Sequence, residues 1–383
     1  MDLQLSERQK DFHAEAARWL SKNVPSQPLP SGDSREGFAA HVEWEKVLFT
    51  ARWAVVSWPA VYGGRGADLV EWLLFEDAYA AAGAPQRVSQ NGIFLLAPTL
   101  FEHGTQAQRD RVLPRMAAAL DLWCQGWSEP GAGSDLAALT CRALPVEGGY
   151  RLHGQKTWCT RGAFCDRLFG LFRTEPQPGR HRGLTYLMVD LRTEGITVRP
   201  VQRLDGDEGF AEVFFDGAFV PDDDVIGEPN EGWAVAMSTT GSERGLTLRS
   251  PGRFRAAAQR LLELYRRHPN PSLRQDVVRA YCDAEAYHLY TLQTVSTLLA
   301  GGKVGAESSA NKLFWSELDV RLQETALALL GGRAELVSGA SLAVDEGAWM
   351  KGYQFALAGP IYAGTNEIQR NLVAERVLGL PRK

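Results

Sequence analysis

A short turn near the C-terminus, residues 361–370 with the sequence IYAGTNEIQR, carries one carboxylate, Glu367. A glutamate at the mouth of a helix can act as a general base. The helix dipole, however, also favours an acid in the first turn of any helix. Asn366 suits the N-cap position, Gln369 the third helical position, and Arg370 lies three residues after the glutamate. The pattern therefore favours a helix-initiating role for Glu367 over catalysis.

A second stretch, WSEPGAGSD at residues 127–135, invites comparison with a phosphate-binding loop. The GxGxxG spacing needs glycine at position 136, which is leucine, and no GK[ST] follows. The glycines either form a tight turn in special backbone conformations or let a flat ligand approach the backbone closely. Trp127, Ser128 and the KTWCT segment at 156–160 could offer such a ligand aromatic contacts and hydroxyl groups.

The N-terminal part of the chain is predicted to be helical. Ser6 and Gln9 form a capping-box pattern before an apolar repeat at helical spacing. A Pro/Gly loop at 58–69 interrupts the helical pattern. Two further segments, at 70–82 and 105–120, have helical patterns as well.

From about Trp123 the pattern becomes that of short strands, in the runs YRLHGQKTWCT, DRLFGLFRT, GLTYLMVDL, GITVRPVQRL and AEVFFDGAFVP. Such runs predict a small antiparallel sheet or barrel. Helical patterning then returns, with predicted breaks at 250–252 and 268–271. Helices, strands and helices in this order indicate an α+β fold. The predicted domains are N-terminal α-helical (1–122), middle antiparallel β (123–232) and C-terminal α-helical (233–383).

The composition argues against a nucleic-acid-binding protein, a membrane-spanning protein and a metalloprotein. A chain of 383 residues is long enough for two or three domains, and its net charge of -5 gives no reason to expect nucleic acid. No apolar run approaches the ~18 residues of a membrane span, and the N-terminus has no signal-peptide pattern. Five cysteines without a CxxC motif or zinc spacing predict reduced thiols, a cytoplasmic protein and no metal site.

Five motifs, in order, resemble those of the acyl-CoA dehydrogenase flavoprotein family: WSEPGAGSD, LHGQKTWCTRG, VFFDGAFVP with IGEPNEGW, LGG, and IYAGTNEIQR with ERVLGLP. The resemblance implies an N-terminal helical domain, a middle β-domain and a C-terminal four-helix bundle, with FAD between the last two. It also implies α,β-desaturation of an acyl thioester, carried by CoA or an acyl-carrier protein. An electron-transfer flavoprotein is the implied electron acceptor.

The resemblance also assigns site residues. Those matching flavin contacts are Trp127, Ser128, Trp158 and Thr160, together with Thr365 and Glu367. Those matching substrate contacts are Ser134, which lies near both the cofactor and the thioester arm, and Ala363, Gly364 and Arg244. The chemistry needs a base for the α-proton and hydrogen bonds to the thioester carbonyl. The backbone N–H of Ala363 matches one such donor.

The resemblance implies that the catalytic base lies outside the C-terminal turn. Many family members carry the catalytic glutamate directly after the tyrosine of this turn, where the present chain has Ala363. A minority, including the isovaleryl and long-chain types, carry it on the first long helix of the C-terminal bundle. The matching stretch is MSTTGSERGL at 237–246, and it places Glu243 in that position. Adjacent helical residues point ~100° apart, so Arg244 need not pair with Glu243 but can tune the local field.

Three departures from the family affect assembly and carrier. The Arg-x-x-Phe-Gly motif that grips a neighbouring subunit's FAD is replaced by RRHPNPSLRQD, and a glutamine before Gly-Gly is replaced by Ala328. Gly241 replaces an aspartate that contacts the CoA arm in relatives. A homo-oligomer, dimeric or tetrameric, and a heteromer all stay open. So do two alternative functions, an oxidase of the same fold and a non-catalytic subunit of a heteromeric enzyme.

Overall fold

A computed structural model describes residues 4–175, 181–302, 305–306 and 308–381, and within 241–250 it describes the helical backbone alone. The chain divides into two units by the density of its internal contacts. The first unit consists of Met1–Val24, Leu69–Ala84 and Leu246–Lys383. The second unit consists of Pro25–Asp68 and Pro85–Gly245.

The aromatic and β-branched runs of the second unit form a sheet that has eight strands within the described ranges. The strands are β1 (Trp123–Gly126), β2 (Arg142–Val146), β3 (Gly149–Thr160), β4 (Arg167–Arg173), β5 (Leu184–Asp190), β6 (Ile196–Val201), β7 (Phe210–Pro221) and β8 (Val225–Ile226). Their order is β6-β7-β3-β2-β4-β5-β8, and β1 pairs with β4. Most pairs are antiparallel, as the runs predict, but β1 and β2 both pair with β4 in parallel.

The core of this sheet is built from side chains that alternate along its strands. Leu168 and Phe172 of β4 and Val213 of β7 are fully buried in one apolar cluster. The helices of the second unit are α2 (Arg35–Thr50), α4 (Ala97–His103), α5 (Gln106–Ala117) and the first part of α6 (Gly232–Arg267), up to Gly245. Thr105 and Gln108 form a capping box at the start of α5, so the predicted helical segment there is confirmed.

Helices alone build the first unit. They are α1 (Glu7–Asn23), α3 (Leu69–Ala81), α7 (Arg274–Leu299), α8 (Ser308–Leu330), α9 (Ala348–Ala356), α10 (Asn366–Leu372) and the end of α6 (Gly232–Arg267). The capping box of Ser6 and Gln9 is present as predicted. Phe254 of α6, Tyr287 of α7 and Trp315 of α8 meet in the apolar core of the long helices. The α+β arrangement of helices, sheet and helices is confirmed. Among the described residues, no helix is both long and apolar enough to cross a bilayer.

One predicted helix break is wrong and the other is right. Helix α6 ends at Arg267, so the predicted break at 268–271 is right, but α6 continues through Pro251 without interruption, so the predicted break at 250–252 is wrong. The glycine beside that proline has a packing role. A β-carbon on Gly252 would lie 2.9 Å from Asp77 Oδ1 and 3.1 Å from the carbonyl oxygen of Glu76. The glycine therefore allows α6 to approach α3 closely instead of ending the helix.

Candidate functional site

The β-domain turn, defined as residues 127–135, follows directly from β1. Glu129 and Ala132 exchange two backbone hydrogen bonds of 2.9 and 3.0 Å, and a short 3₁₀ turn follows at Leu136–Ala138. The rejection of a phosphate loop that opens a helix is therefore confirmed. The expectation of special glycine conformations is wrong, since neither Gly131 nor Gly133 has a left-handed φ. A β-carbon at either glycine would meet nothing within 4 Å, which favours the alternative of a close ligand approach.

A buried lysine beneath this turn holds it in place. Lys156 Nζ has no exposed surface and donates to the carbonyl oxygens of Trp127 (3.2 Å) and Leu171 (2.8 Å). It also donates to Glu129 Oε1 at 2.8 Å. The Glu129 carboxylate in turn accepts from the backbone N–H groups of Thr140 and Cys141, at 2.6 and 2.9 Å. These bonds join the turn to β3, to β4 and to the two residues that precede β2.

The pKa of Glu129 reflects these partners. Burial acts first and raises the pKa of this carboxyl, as expected for a charge taken out of water. The Lys156 ammonium and the two backbone donors outweigh burial and hold the pKa of Glu129 below its usual range. Glu129 is therefore ionised at neutral pH and serves as an anchor. The sequence analysis missed both residues, although Lys156 opens the KTWCT segment.

Trp158 is displayed on the surface by an irregularity in β3. Lys156 pairs with Val213 and Cys159 with Ala211, so residues 157 and 158 lie opposite residue 212 alone. This bulge gives Trp158 a left-handed φ of 59° and leaves 60% of it exposed, in edge contact with Phe210. A large aromatic residue held exposed in a costly backbone conformation is typical of a ligand platform.

The other predicted flavin contacts of this unit lie close by. The backbone N–H of Thr157 donates to the carbonyl oxygen of Ser128 at 2.9 Å, which brings the turn against β3. Thr160 is half-buried at the end of β3, and Ser134 is exposed at the end of the turn. The indole Nε1 of Trp127 is buried without a hydrogen-bond partner among the described residues. An unpartnered donor, open space at two glycines and an exposed indole fit a flat ligand with polar edges.

Trp127 is also connected to helix α6. Its ring lies edge-on to Tyr186, with ring centres 6.2 Å apart. The Tyr186 hydroxyl lies 3.2 Å from Thr239 Oγ1, which is also 2.8 Å from the hydroxyl of Thr99. Thr239 is fully buried and stands one helical turn before position 243. The side chains of Glu243 and Arg244, the predicted base and its neighbour, lie outside the described residues.

The C-terminal turn, defined as residues 361–366, belongs to the first unit. Ala363 and Gly364 both have left-handed φ, of 54° and 79°, and both are exposed. The side-chain amide of Gln369 donates to their carbonyl oxygens at 3.3 and 3.4 Å. The backbone N–H of Ala363 donates to no residue in the described part of the chain. A left-handed alanine costs about 1–2 kcal/mol, and such strain is concentrated at ligand sites.

The helix after this turn starts one residue earlier than predicted. Thr365 is the N-cap, because its hydroxyl accepts from the N–H of Ile368 at 3.2 Å, so the prediction of Asn366 as the cap is wrong. Asn366 is drawn into the interior instead. Glu367 is a first-turn acid, as predicted, with its side chain 77% exposed and 3.6 Å from Arg370 Nη1.

A second buried lysine lies behind the C-terminal turn, and the sequence analysis missed it too. Lys312 Nζ donates to Asn366 Oδ1 at 2.8 Å, and Ser316 Oγ donates to the same oxygen at 3.1 Å. The backbone N–H of Asn366 donates to the carbonyl oxygen of Pro360 at 2.8 Å. Burial lowers the pKa of Lys312 to about 8, with Glu367 acting against this shift and Arg370 adding to it.

Three family models match successive stretches of the chain. Acyl-CoA dehydrogenase family models match consecutive stretches, with the N-terminal domain at 6–119, the middle domain at 124–218 and the C-terminal domain at 230–378. The acyl-CoA dehydrogenase IpdE1 of Mycobacterium tuberculosis is 36% identical over 384 residues, covering 98% of both chains. Its namesake from Mycolicibacterium smegmatis is 36% identical over 397 residues at the same coverage.

Solved structures that are similar along the whole chain include the following two. One is described as the Tcur3481-Tcur3483 steroid ACAD and has a TM-score of 0.90 at 26% identity, with full coverage of both chains. The other is the ChsE4-ChsE5 complex from Mycobacterium tuberculosis, with a TM-score of 0.81 at 27% identity and full coverage of both chains.

Proposed function

The chain belongs to the acyl-CoA dehydrogenase family, and we propose that it forms an α,β-double bond in an acyl thioester with Glu243 as the base. Enzymes of this family are FAD-dependent, and bound FAD supplies the acceptor for the hydride that leaves the β-carbon. The protein's own part is to bind and orient the reactants and to remove the α-proton.

The observation that carries the proposal is the connection from Trp127 through Tyr186 to Thr239. It connects Thr239 of α6 to the β-domain turn, which supports a role for position 243, one helical turn further along the same helix. In this proposal Trp127, Ser128, Trp158 and Thr160 hold the flavin, which fits the exposed indole and the unpartnered indole N–H. The Glu243 carboxylate takes the α-proton, and Arg244 tunes the field around it.

The C-terminal turn completes the proposed machinery. The backbone N–H of Ala363 donates to the thioester carbonyl and stabilises the negative charge that develops there. Its lack of a described partner and its strained φ support this role. Gly364 and Ser134 line the thioester site, and Ser134 also contacts the cofactor, as do Thr365 and Glu367. Ala363 has no acid–base group, which is why the base is assigned to Glu243.

For the substrate, we propose a CoA thioester whose acyl group derives from a steroid. The support is the whole-chain similarity to a solved structure described as a steroid ACAD. Gly241, in place of the aspartate that contacts the CoA arm in relatives, keeps an acyl-carrier protein as the alternative carrier. An electron-transfer flavoprotein is the proposed acceptor.

For the assembly, we propose a heteromer with a second acyl-CoA dehydrogenase-like chain. The two solved structures described above are each named by a pair of protein names. The altered segment at 266–276 and Ala328 support the same proposal, because they remove the family's usual contacts to a neighbouring FAD. A non-catalytic subunit is the second candidate that this similarity favours.

We propose the domain boundaries 1–122, 123–232 and 233–383. We also propose a cytoplasmic location, which the five free cysteines support.

Anaerobic flavin bleaching tests the proposed function. The FAD-loaded protein, alone and co-purified with its partner chain, is mixed with steroid-acyl-CoA, straight-chain acyl-CoA, isovaleryl-CoA and acyl-carrier-protein thioesters. We expect bleaching of the flavin absorbance, fastest with the steroid thioester. Bleaching only by a short or straight chain would overturn the substrate class, and bleaching by none would overturn the dehydrogenase proposal. Fast peroxide formation in air without an electron-transfer partner would identify an oxidase.

A further inference from the structure

Lys312 stands where an ammonium group is electrostatically disfavoured. Its side chain is 6% exposed and reaches Asn366, the first residue of α10. The N-terminal end of a helix carries partial positive charge, so a buried cation there is unfavourable. A neutral residue would fill this position at lower cost to stability. Retaining a costly charge is typical of functional sites.

The bond that this ammonium makes acts on the C-terminal turn. Asn366 is the buried residue at the end of that turn, with 3% of its surface exposed. Its side-chain oxygen is held by Lys312 and Ser316 on α8, and its backbone N–H is held by Pro360. The turn is thus closed at its base while Ala363 and Gly364 stay exposed in left-handed conformations.

We propose that Lys312 is a positioning residue for the thioester, which fixes the C-terminal turn through Asn366 so that the backbone N–H of Ala363 points at the substrate carbonyl. This inference rests on the proposed function for the role of Ala363. The protonated amine is the stronger donor to Asn366. The grip on the turn therefore weakens when Lys312 loses its proton.

The charges around Lys312 come from the elements that contact it. Glu367 on α10 favours the protonated amine and Arg370 on the same helix disfavours it. Glu317, on the lysine's own helix, binds Arg370 at 2.7 Å and reaches the Asn366 amide. Helices α7 and α9 also pack on α8, and neither contributes a charge that shifts the pKa of Lys312.

The test is a pH series from 6.5 to 9.5 on three holoenzymes, the wild type, Lys312→Met and Asn366→Asp. Lys22→Met is the matched control, because it removes an exposed lysine on α1. In the wild type we expect KM for the thioester to rise above about pH 8. In Lys312→Met we expect KM at pH 7 to be about tenfold higher than in the wild type. The rise of KM above pH 8, the alkaline limb, should be absent in this variant. We expect kcat to change less than KM. In Asn366→Asp the new carboxylate favours the protonated lysine, so the limb moves to higher pH.

A readout independent of turnover separates this inference from the proposed function. Amide hydrogen exchange of residues 361–366 is compared between wild type and Lys312→Met at one pH. We expect about tenfold faster exchange at Asn366 in the variant and wild-type exchange in Lys22→Met. Unchanged exchange, or an alkaline limb that survives in Lys312→Met, would overturn the role of Lys312. Faster exchange in Lys312→Met, together with a wild type whose flavin is bleached by no thioester, would overturn the dehydrogenase proposal and leave the role of Lys312 in holding the turn intact.

If Lys312→Met does not fold, Asn366→Asp alone decides. An alkaline limb at the same pH as in the wild type would contradict the proposal.

Discussion

Two exposed turns of this protein are each held from beneath by a buried lysine, and the two lysines differ in their partners. Under the β-domain turn, Lys156 binds a carboxylate, Glu129, and two carbonyl oxygens. Under the C-terminal turn, Lys312 binds the uncharged amide of Asn366. The first charge is balanced by an opposite charge and the second is not.

Because of this difference, Lys156 should hold its turn at every pH near neutrality, whereas the hold of Lys312 on its turn should depend on pH. The two groups of a buried, fully hydrogen-bonded ion pair keep their charges when the pH changes near neutrality. Removing one partner of such a pair lowers the free energy of unfolding strongly, because the other charge stays buried and unpaired. A buried ammonium on a neutral acceptor instead titrates within reach of physiological pH, as the pKa of about 8 for Lys312 indicates.

Breaking the balanced pair gives the largest effect. Lys156→Met leaves the Glu129 carboxylate buried and unpaired, so we expect the free energy of unfolding to fall by about 3–5 kcal/mol. Urea unfolding followed by circular dichroism measures it. The double variant Lys156→Met with Glu129→Leu removes both charges and should recover part of the loss. A single variant within about 1 kcal/mol of wild type would show that the pair is not an anchor.

The unbalanced lysine gives a pH-dependent effect of smaller size. The folded-state pKa of Lys312 is about 8 and its ordinary value is 10.5, so the unfolded chain binds this proton more tightly. The free energy of unfolding should therefore rise with pH between about 8 and 10.5, by about 1–3 kcal/mol in total. The charged form costs stability below pH 8.

Lys312→Met should lack this rise, which unfolding midpoints at pH 7, 8.5 and 10 would reveal as a difference from wild type. The exposed Lys22→Met variant should follow the wild-type curve at every pH. Parallel curves for Lys312→Met and wild type would contradict the shifted titration of the lysine.

A substitution at Trp158, in β3 beside the β-domain turn, should affect FAD binding far more than it affects stability. Because 60% of this residue is exposed, Trp158→Ala should change the free energy of unfolding of the apoprotein by under about 1 kcal/mol. Loss of an aromatic platform should weaken FAD affinity by about tenfold or more. Fluorescence titration of apoprotein with FAD measures it. Leu204→Ala, at a residue 76% exposed, is the control that should leave both quantities unchanged.

The N-cap of α10 gives the smallest effect. Thr365→Ala removes the hydroxyl that accepts from Ile368, and losing such a cap costs about 1 kcal/mol. Thr365→Ser keeps the hydroxyl and should stay near wild type. Thermal unfolding at pH 7 compares the two variants. Equal losses in both would show that the threonine methyl group matters more than the cap.

The sequence predicted the elements whose signals are local. The Ser6 capping box, the helix at α5, the strand runs and the absence of a phosphate loop depend on residues within a few positions of one another, and the structure confirms them. The order of helices, strands and helices was equally readable.

Features that depend on distant contacts were not predictable in this way. Pro251 does not end α6, and the neighbouring Gly252 packs closely against Asp77 on another helix. Asn366 is not the cap of α10, because Lys312, 54 residues away, holds its side chain in the interior. Lys156 and Glu129 stand 27 residues apart and meet only through the sheet. The role of Glu243 came from family resemblance and stays a prediction.

The most direct test is anaerobic reduction of the flavin in Glu243→Gln, compared with Glu367→Gln, which tests the other candidate carboxylate. The account predicts that both variants bind FAD, that Glu243→Gln bleaches at least about a hundredfold more slowly with the acyl thioester than wild type, and that Glu367→Gln bleaches at a rate near that of wild type. Bleaching of Glu243→Gln at the wild-type rate would contradict the assignment of the base, and loss of bleaching in Glu367→Gln alone would move it to the C-terminal turn.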